Sequence, residues 1–462
     1  MSLLQTGLKK YIFSDKHYYT KLLTLALPVT LQNLIASSLS VVDTVMVGSL
    51  GESQIAAVSI ANQYVLLVFL IYASIHSGCG IYISQFFGKK DTESIKQVAN
   101  IGIIMGAVVS LIFTVLAVAV PNWIISIFSP DPIVIEQGGE FLRIVGISFV
   151  FASISFGFSM NVRSIGKSVM PMIVSAIALV INTILNFVLI YGMFGAPALG
   201  VKGAAIATLI SRIIEMLIFV VVIYSSYDLL KLRISIIRKV ASSMVLKVSK
   251  TILPVLLNEV CWGFGVLVYS AVYGRISTEA VAAVQIYNTV TNLFMVAGFG
   301  LASASAVMIG HKVGEREMEK AREYSWRFVI LALMVGALLG GALAISAPSV
   351  LTLFNISESA AHSATFMLFV ASVILGVRFI NIVSIVGLLR GGGDASFAFI
   401  IEAITMWCVG VPLALLGAFV FRFPVEYVVL LVMLEEVVKF IFVIFRMRSN
   451  KWIKSVVWDE DC

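Results

Sequence analysis

Charged side chains are scarce in this sequence. Asp, Glu, Lys and Arg make up 12% of its 462 residues, about half the share usual in soluble domains. A mainly water-facing globular surface is therefore excluded. Cysteine is nearly absent too: Cys79, Cys261, Cys408 and Cys462 form no C-x-x-C pair, so neither a disulfide framework nor a zinc site is indicated. Two of the four histidines, His76 and His311, stand singly near or at span ends without a Cys/His companion at ligand spacing, and no metal site is expected. No G-x-x-x-x-G-K-[ST] loop occurs, which argues against ATP hydrolysis. Nor does any nucleophile–base–acid grouping stand out, so the chain is not read as an enzyme.

What the sequence has in excess is apolar length. Hydrophobic residues make up 60% and the mean hydropathy is +1.03. Apolar runs last about twenty residues, enough to cross a bilayer as helix. A membrane barrel would show alternating segments of about ten residues instead. The breaks leave twelve spans, near 21–48, 55–82, 98–120, 138–160, 168–193, 199–224, 246–273, 280–310, 326–347, 360–388, 396–420 and 424–446. The first span shows no signal-peptide pattern, and no cleavage is expected. Lys and Arg gather on alternate connections, among them Lys9, Lys10, Lys89, Lys167, Arg233, Arg238, Lys239 and Arg448; the opposite side holds only Arg143, Lys202, Arg275 and Arg422. Positive charge stays cytoplasmic, so both termini are expected inside. Topology and the anionic inner leaflet account for the net charge of +7, with no nucleic-acid partner.

The first half is repeated in the second. Pro28 falls on Pro254, 226 residues on, and the same shift carries Gly48 onto Gly274, Ala56-Ala57-Val58 onto Ala282-Ala283-Val284, Asn62 onto Asn288 and Gly88 onto Gly314. One more residue of shift carries Arg163 onto Arg390 and Gly166 onto Gly393. Many secondary transporters are built from duplicated membrane halves. The expected organisation is an all-α membrane protein with six-helix lobes at 1–224 and 246–462, joined by a polar connector at 225–245.

Several stretches carry a family resemblance: Pro28-Val-Thr-Leu-Gln-Asn33, Val42-Asp43-Thr-Val-Met-Val-Gly48, Val180-Ile-Asn182-Thr-Ile-Leu-Asn186 and Leu389-Arg-Gly-Gly-Gly-Asp394. With them, residues 18–447 resemble the multidrug and toxic compound extrusion (MATE) transporters, in their NorM-like bacterial branch. The resemblance implies twelve helices in two V-arranged lobes in a prokaryotic plasma membrane, and exchange of Na⁺ or H⁺ for cytoplasmic organic, mostly cationic compounds. Lipid and small drugs are the expected partners, a monomer the expected state, and no cofactor beyond the coupling ion.

Charges inside spans are the best markers of function, because each is costly unless it faces a cavity or a partner. Glu259 stands where the first copy has Asn33, and is the first candidate for the coupling ion. Asp43, whose repeat mate is Tyr269, is the second. Asn182 and Asn186, four apart on one helix face, offer Asp43 a purely structural bond; the resemblance instead implies that all three line the amino-terminal-lobe cavity, where they could form a proton relay or a Na⁺ site. Asp394 suits a helix N-cap; the resemblance instead pairs it with Glu259 in cation binding, so a Na⁺ site at Glu259/Asp394 is an expectation. Arg390 is a candidate ion-pair partner of Asp394. Glu402 either brackets a cation with Glu259 or pairs with Arg378. Glu435 and Glu436 can each reach Lys439 within one helix, and Arg212 can reach Glu215. Gln32, Asn33, Tyr269, Tyr287 and Asn288 complete the expected cavity, with Trp262 and Met295 suited to organic cations.

The functional expectation is an antiporter. A lipid-linked saccharide or peptidoglycan-precursor flippase of similar architecture stays open as the alternative. Such a flippase would carry a basic excess for pyrophosphate, whereas the span charges lean acidic.

Overall fold

The computed structural model describes residues 15–232, 241–352 and 357–458, apart from the side chains of 39–41. Lys9, Lys10, Arg233, Arg238, Lys239, Cys462 and the middle of the connector lie outside the described residues. The described backbone holds no strand. Its long helices are α1 (Lys16–Gly48), α2 (Glu52–Lys89), α3 (Thr92–Ala119), α4 (Pro132–Ser164), α5 (Val169–Tyr191), α6 (Val201–Ser226), α7 (Ser242–Ile276), α8 (Thr278–Gly314), α9 (Met318–Leu351), α10 (Glu358–Leu389), α11 (Ala395–Val420) and α12 (Val425–Arg448). The first eleven are long and apolar enough to cross a membrane. The twelfth, 24 residues long, carries Glu435, Glu436 and Lys439 at its middle, and each finds a partner within the fold.

Local chemistry sets the helix ends. Asp91 accepts from Ser94 N at 3.1 Å to start α3, and Asp131 accepts from Ile133 N at 2.9 Å to start α4. Ser277 and Ser357 cap α8 and α10 in the same way. These oxygens occupy backbone donors that the first helical turn leaves unpaired. Gly192, at φ 71, stops α5. Wider π turns interrupt α10 at Val383–Leu389 and α11 at Met406–Gly410 and Leu416–Val420; such turns recur at functional sites.

The chain forms two compact units: residues 31–256, and residues 1–30 with 257–462. The division falls inside α1 and α7 rather than at the 225–245 connector. In each it comes two residues past an in-helix proline, Pro28 or Pro254, where the ring removes a backbone hydrogen bond. The duplication thus extends to where the units part.

In the amino-terminal unit (31–256), α4 is the central helix and packs on α2, α3 and α6. Its core joins Tyr64, Val68, Phe141, Leu142 and Phe149. His76 is fully buried within α2, not near a span end; it sits 3.3 Å from Ser153 Oγ, and the bare backbones of Gly106 and Gly157 make room for its ring. Among the described residues no His/Cys/Asp/Glu group could hold a metal ion.

The carboxy-terminal unit has two cores. One gathers Tyr18, Leu22 and Leu25 of α1 with Met308, Phe328, Phe379 and Leu388; the other gathers Tyr273, Tyr287, Leu343, Met367 and Val428. In α9, Gly336 and Gly340 let the backbone of α10 approach closely. After α12 the chain folds back. Trp452 is 0% exposed and lies on Gly392, where a Cβ would come within 2.6 Å of its ring. Lys454 N donates to Gly392 O at 2.6 Å, and Trp458 stacks under Arg316 at 3.9 Å.

Candidate functional site

In the amino-terminal unit a polar chain runs between helices that are otherwise apolar. Asn186 Nδ2 donates to Asp43 Oδ1 at 2.8 Å and lies 3.3 Å from Asn182 Oδ1. Asn182 Nδ2 donates to Ser211 Oγ at 3.3 Å. One turn along α6, Glu215 accepts from Arg212 Nη1 at 2.8 Å and from Ser175 Oγ at 2.9 Å. Ser175 Oγ accepts from Gln32 Nε2 at 2.9 Å, and Gln32 Oε1 accepts from Arg163. Asn182 and Asn186 are buried, while Asp43 is half-buried. Sequence reading foresaw Asp43 with both asparagines, and the Arg212–Glu215 pair. It did not foresee Ser175, Ser211 or Arg163, since serines and a helix-end arginine carry no signal of their own.

The carboxy-terminal unit holds an open pocket of about 240 Å³. Its lining mixes Trp262, Met295 and Phe299 with Glu259, Arg378, Arg390, Glu402, Glu436 and Lys439. These charges neutralise each other. Arg390 donates to Glu259 Oε1 at 2.8 Å and to Asn258 Oδ1 at 2.5 Å. Lys439 lies 2.9 Å from both Glu402 and Glu435. Arg378 Nε is 3.6 Å from Glu436, which also accepts from Asn381 at 2.7 Å.

Several expected pairings change. Glu402 pairs with Lys439 and not with Arg378, whose side chain turns to Glu436 and, at 3.4 Å, to Tyr287 Oη. Arg390 serves Glu259, not Asp394. Asp394 does stand at the N-cap position of α11, though without a capping bond from its side chain. It is 1% exposed and held by Arg446 and Lys454, each at 2.7 Å. Glu259 and Asp394 therefore have separate basic partners. The pairing of Glu435 with Lys439 within α12 is as read; Tyr269 Oη adds a donation to Glu435 at 2.7 Å. Asn33 is half-buried and Asn288 exposed. Asn258 and Asn381 were not foreseen, although Asn258 precedes Glu259 and takes the place of Gln32 in the repeat.

Twelve long helices in duplicated halves, with a charged pocket in one of them, define the class: a multi-pass membrane transporter. The sequence profile described as MatE matches residues 28–188 and 254–416, so the chain belongs to the MatE family of transporters and is not an enzyme. It is 25% identical over 453 residues to the uncharacterized transporter YisQ of Bacillus subtilis, covering 97% of this chain and 98% of that one. It is likewise 25% identical over 398 residues to a probable multidrug resistance protein NorM of Thermotoga maritima, covering 85% and 84%. The fold is similar to that of a MATE protein crystallised in complex with MaL6 (TM-score 0.86, 19% identity, 96% and 98% of the chains covered). It is also similar to a MOP superfamily transporter from Pyrococcus furiosus described as having reversed binding-pocket polarity (TM-score 0.85, 19% identity, 96% and 98% covered).

Proposed function

We propose that this protein is a proton-driven antiporter that exports amphiphilic organic compounds across a prokaryotic plasma membrane, as a monomer with both termini cytoplasmic. One observation carries the reading. Six carboxylates lie well inside the spans: Asp43, Glu215, Glu259, Glu402, Glu435 and Glu436. Five have a Lys or Arg within ion-pair distance. Asp43 has none among the described residues, and its bonded neighbour is the neutral amide of Asn186. A carboxylate fixed by a base keeps its charge, whereas one bonded to a neutral amide, with no base within ion-pair distance, can gain and lose a proton. That moves Asp43 ahead of Glu259 as the coupling group. Its neighbour is a hydrogen-bond donor rather than a cage of oxygens, which suits a proton better than Na⁺.

In the cycle, protonation of Asp43 from outside disfavours passenger binding, and a cytoplasmic passenger is taken up as the proton leaves. For an uncharged passenger, the one charge moved through 100 mV supplies about 2.3 kcal/mol, roughly a fifty-fold gradient; a cation swapped one-for-one with H⁺ is driven by the pH difference alone. The name NorM, given to relatives as probable multidrug resistance proteins, supports organic passengers, as do Trp262, Met295 and Phe299. The cavity sets three bases against three acids, which gives the flippase alternative no basic excess for pyrophosphate.

Proteoliposomes loaded with a fluorescent organic cation test this. An imposed pH gradient should drive dye movement, an imposed Na⁺ gradient should not, and Asp43→Asn should cut the pH-driven rate by more than tenfold with insertion intact. Na⁺-driven transport, or full activity of Asp43→Asn, would sink the proposal.

A further inference from the structure

We propose that Arg212 is an internal counter-ion for Asp43, held on Glu215 while Asp43 carries its proton and transferred to Asp43 when the proton leaves. This rests on the coupling role given to Asp43. Arg212 follows Ser211, which closes the side-chain run Asp43–Asn186–Asn182–Ser211 by donating to the Thr208 carbonyl at 2.9 Å. One guanidinium nitrogen engages Glu215 at 2.8 Å; no other hydrogen bond of that group appears among the described residues. The two partners differ in freedom. The Glu215 side chain is 6% exposed and is also held by Ser175, whereas that of Arg212 is 43% exposed. Glu215 is thus the fixed post and Arg212 the arm. The charge of Arg212 already reaches both Asp43 and Glu215.

The carrier has to complete its cycle once the proton is gone. A bare Asp43 carboxylate in an apolar wall is costly; a guanidinium shared between Asp43 and Glu215 lessens that cost without taking an ion from solution, and Glu215 keeps the Ser175 hydroxyl as its donor while the guanidinium leans toward Asp43. The other titratable group facing Arg212 is Tyr72 of α2, with His76 one turn further on, sealed against Ser153. On α5, Asp43 bonds the amide of Asn186.

The test reads the Asp43 titration directly, as the pH-dependent carboxyl band in infrared difference spectra of the full chain in lipid, assigned by its loss in Asp43→Asn. Arg212→Gln removes the nearby cation, so the midpoint should rise by about one pH unit. Glu215→Gln frees Arg212 for Asp43, so the midpoint should fall by about the same amount. Arg212→Lys should keep the wild-type midpoint, and the double variant Arg212→Gln/Glu215→Gln should lie above that of Glu215→Gln alone. A purely structural pair would weaken folding or rate in both single variants without moving the midpoint in opposite directions. Unchanged midpoints, or shifts of the same sign, overturn the counter-ion. Absence of any Asp43-dependent band in the wild type overturns the proton reading itself, and the counter-ion with it.

Discussion

Arg163 and Arg390 fill one slot of the duplicated sequence, and each donates to an amide oxygen on its own unit's proline-bearing helix, Gln32 or Asn258. Those amides also match in the repeat. The difference lies one residue on. In the carboxy-terminal unit Glu259 closes a second bond to Arg390; in the other unit that place is Asn33, and Arg163 has no carboxylate within ion-pair distance among the described residues. The same architecture is thus electrically closed in one unit and open in the other. Where acids meet bases, charge is fixed and serves to hold helices together. Where the acid is kept among amides, its charge can change. Duplication supplied two copies of one clamp, and divergence at a single position, Glu259 against Asn33, gave one of them a carboxylate and left the other without.

Four variants break or sharpen that contrast. Lys439→Met leaves Glu402 and Glu435 buried without their base. Breaking a buried pair costs about 3–5 kcal/mol, so thermal unfolding in detergent should shift down by many degrees; an unchanged transition would show that the charge network contributes little. Asn186→Asp sets a second carboxylate beside Asp43. Two acids sharing one site hold a proton more tightly, so the pH profile of efflux should move to higher pH by about one to two units, and a profile that stays put would place the titration elsewhere. Glu259→Gln should lower pH-driven efflux only a few-fold while loosening Arg390. A loss as deep as that of Asp43→Asn would return the coupling role to the carboxy-terminal unit.

The smallest effect lies outside the spans. Hydrogen bonds from Lys312 and Lys320 hold the Glu317 carboxyl down at about 2. A depressed carboxylate stabilises the fold fully above its unfolded value near 4.5, and the contribution fades as pH falls toward about 2. Because the side chain is 36% exposed, solvent screening limits the effect to under about 1 kcal/mol. Glu317→Gln should therefore change thermal stability slightly at pH 7 and by a much smaller amount at pH 2.

The fold was legible because long apolar runs and a constant repeat shift are properties of the line of sequence. The charged residues were legible as oddities, but many of their partners were not. Lys439 reaches Glu402 across 37 positions and Lys454 reaches Asp394 across 60; only packing decides between such partners and nearer alternatives such as Arg378 or Arg390. Pairs within one helix, Arg212–Glu215 and Glu435–Lys439, could be read from spacing. The full burial of His76 escaped notice because two glycines on other helices create its room, and a glycine's neighbour across a helix interface leaves no trace in the local pattern.

The segment after α12 has a practical bearing on handling the protein. Bare Gly392 seats the Trp452 indole, and Gly393, at φ +90, lets the backbone of Lys454 pass beside it. Ending the polypeptide at Arg448 would remove this indole and with it about 3–5 kcal/mol of packing. Affinity tags and fluorescent reporters therefore belong beyond residue 458, and a shortened version would be misjudged as a failed transporter when it had only lost its stopper.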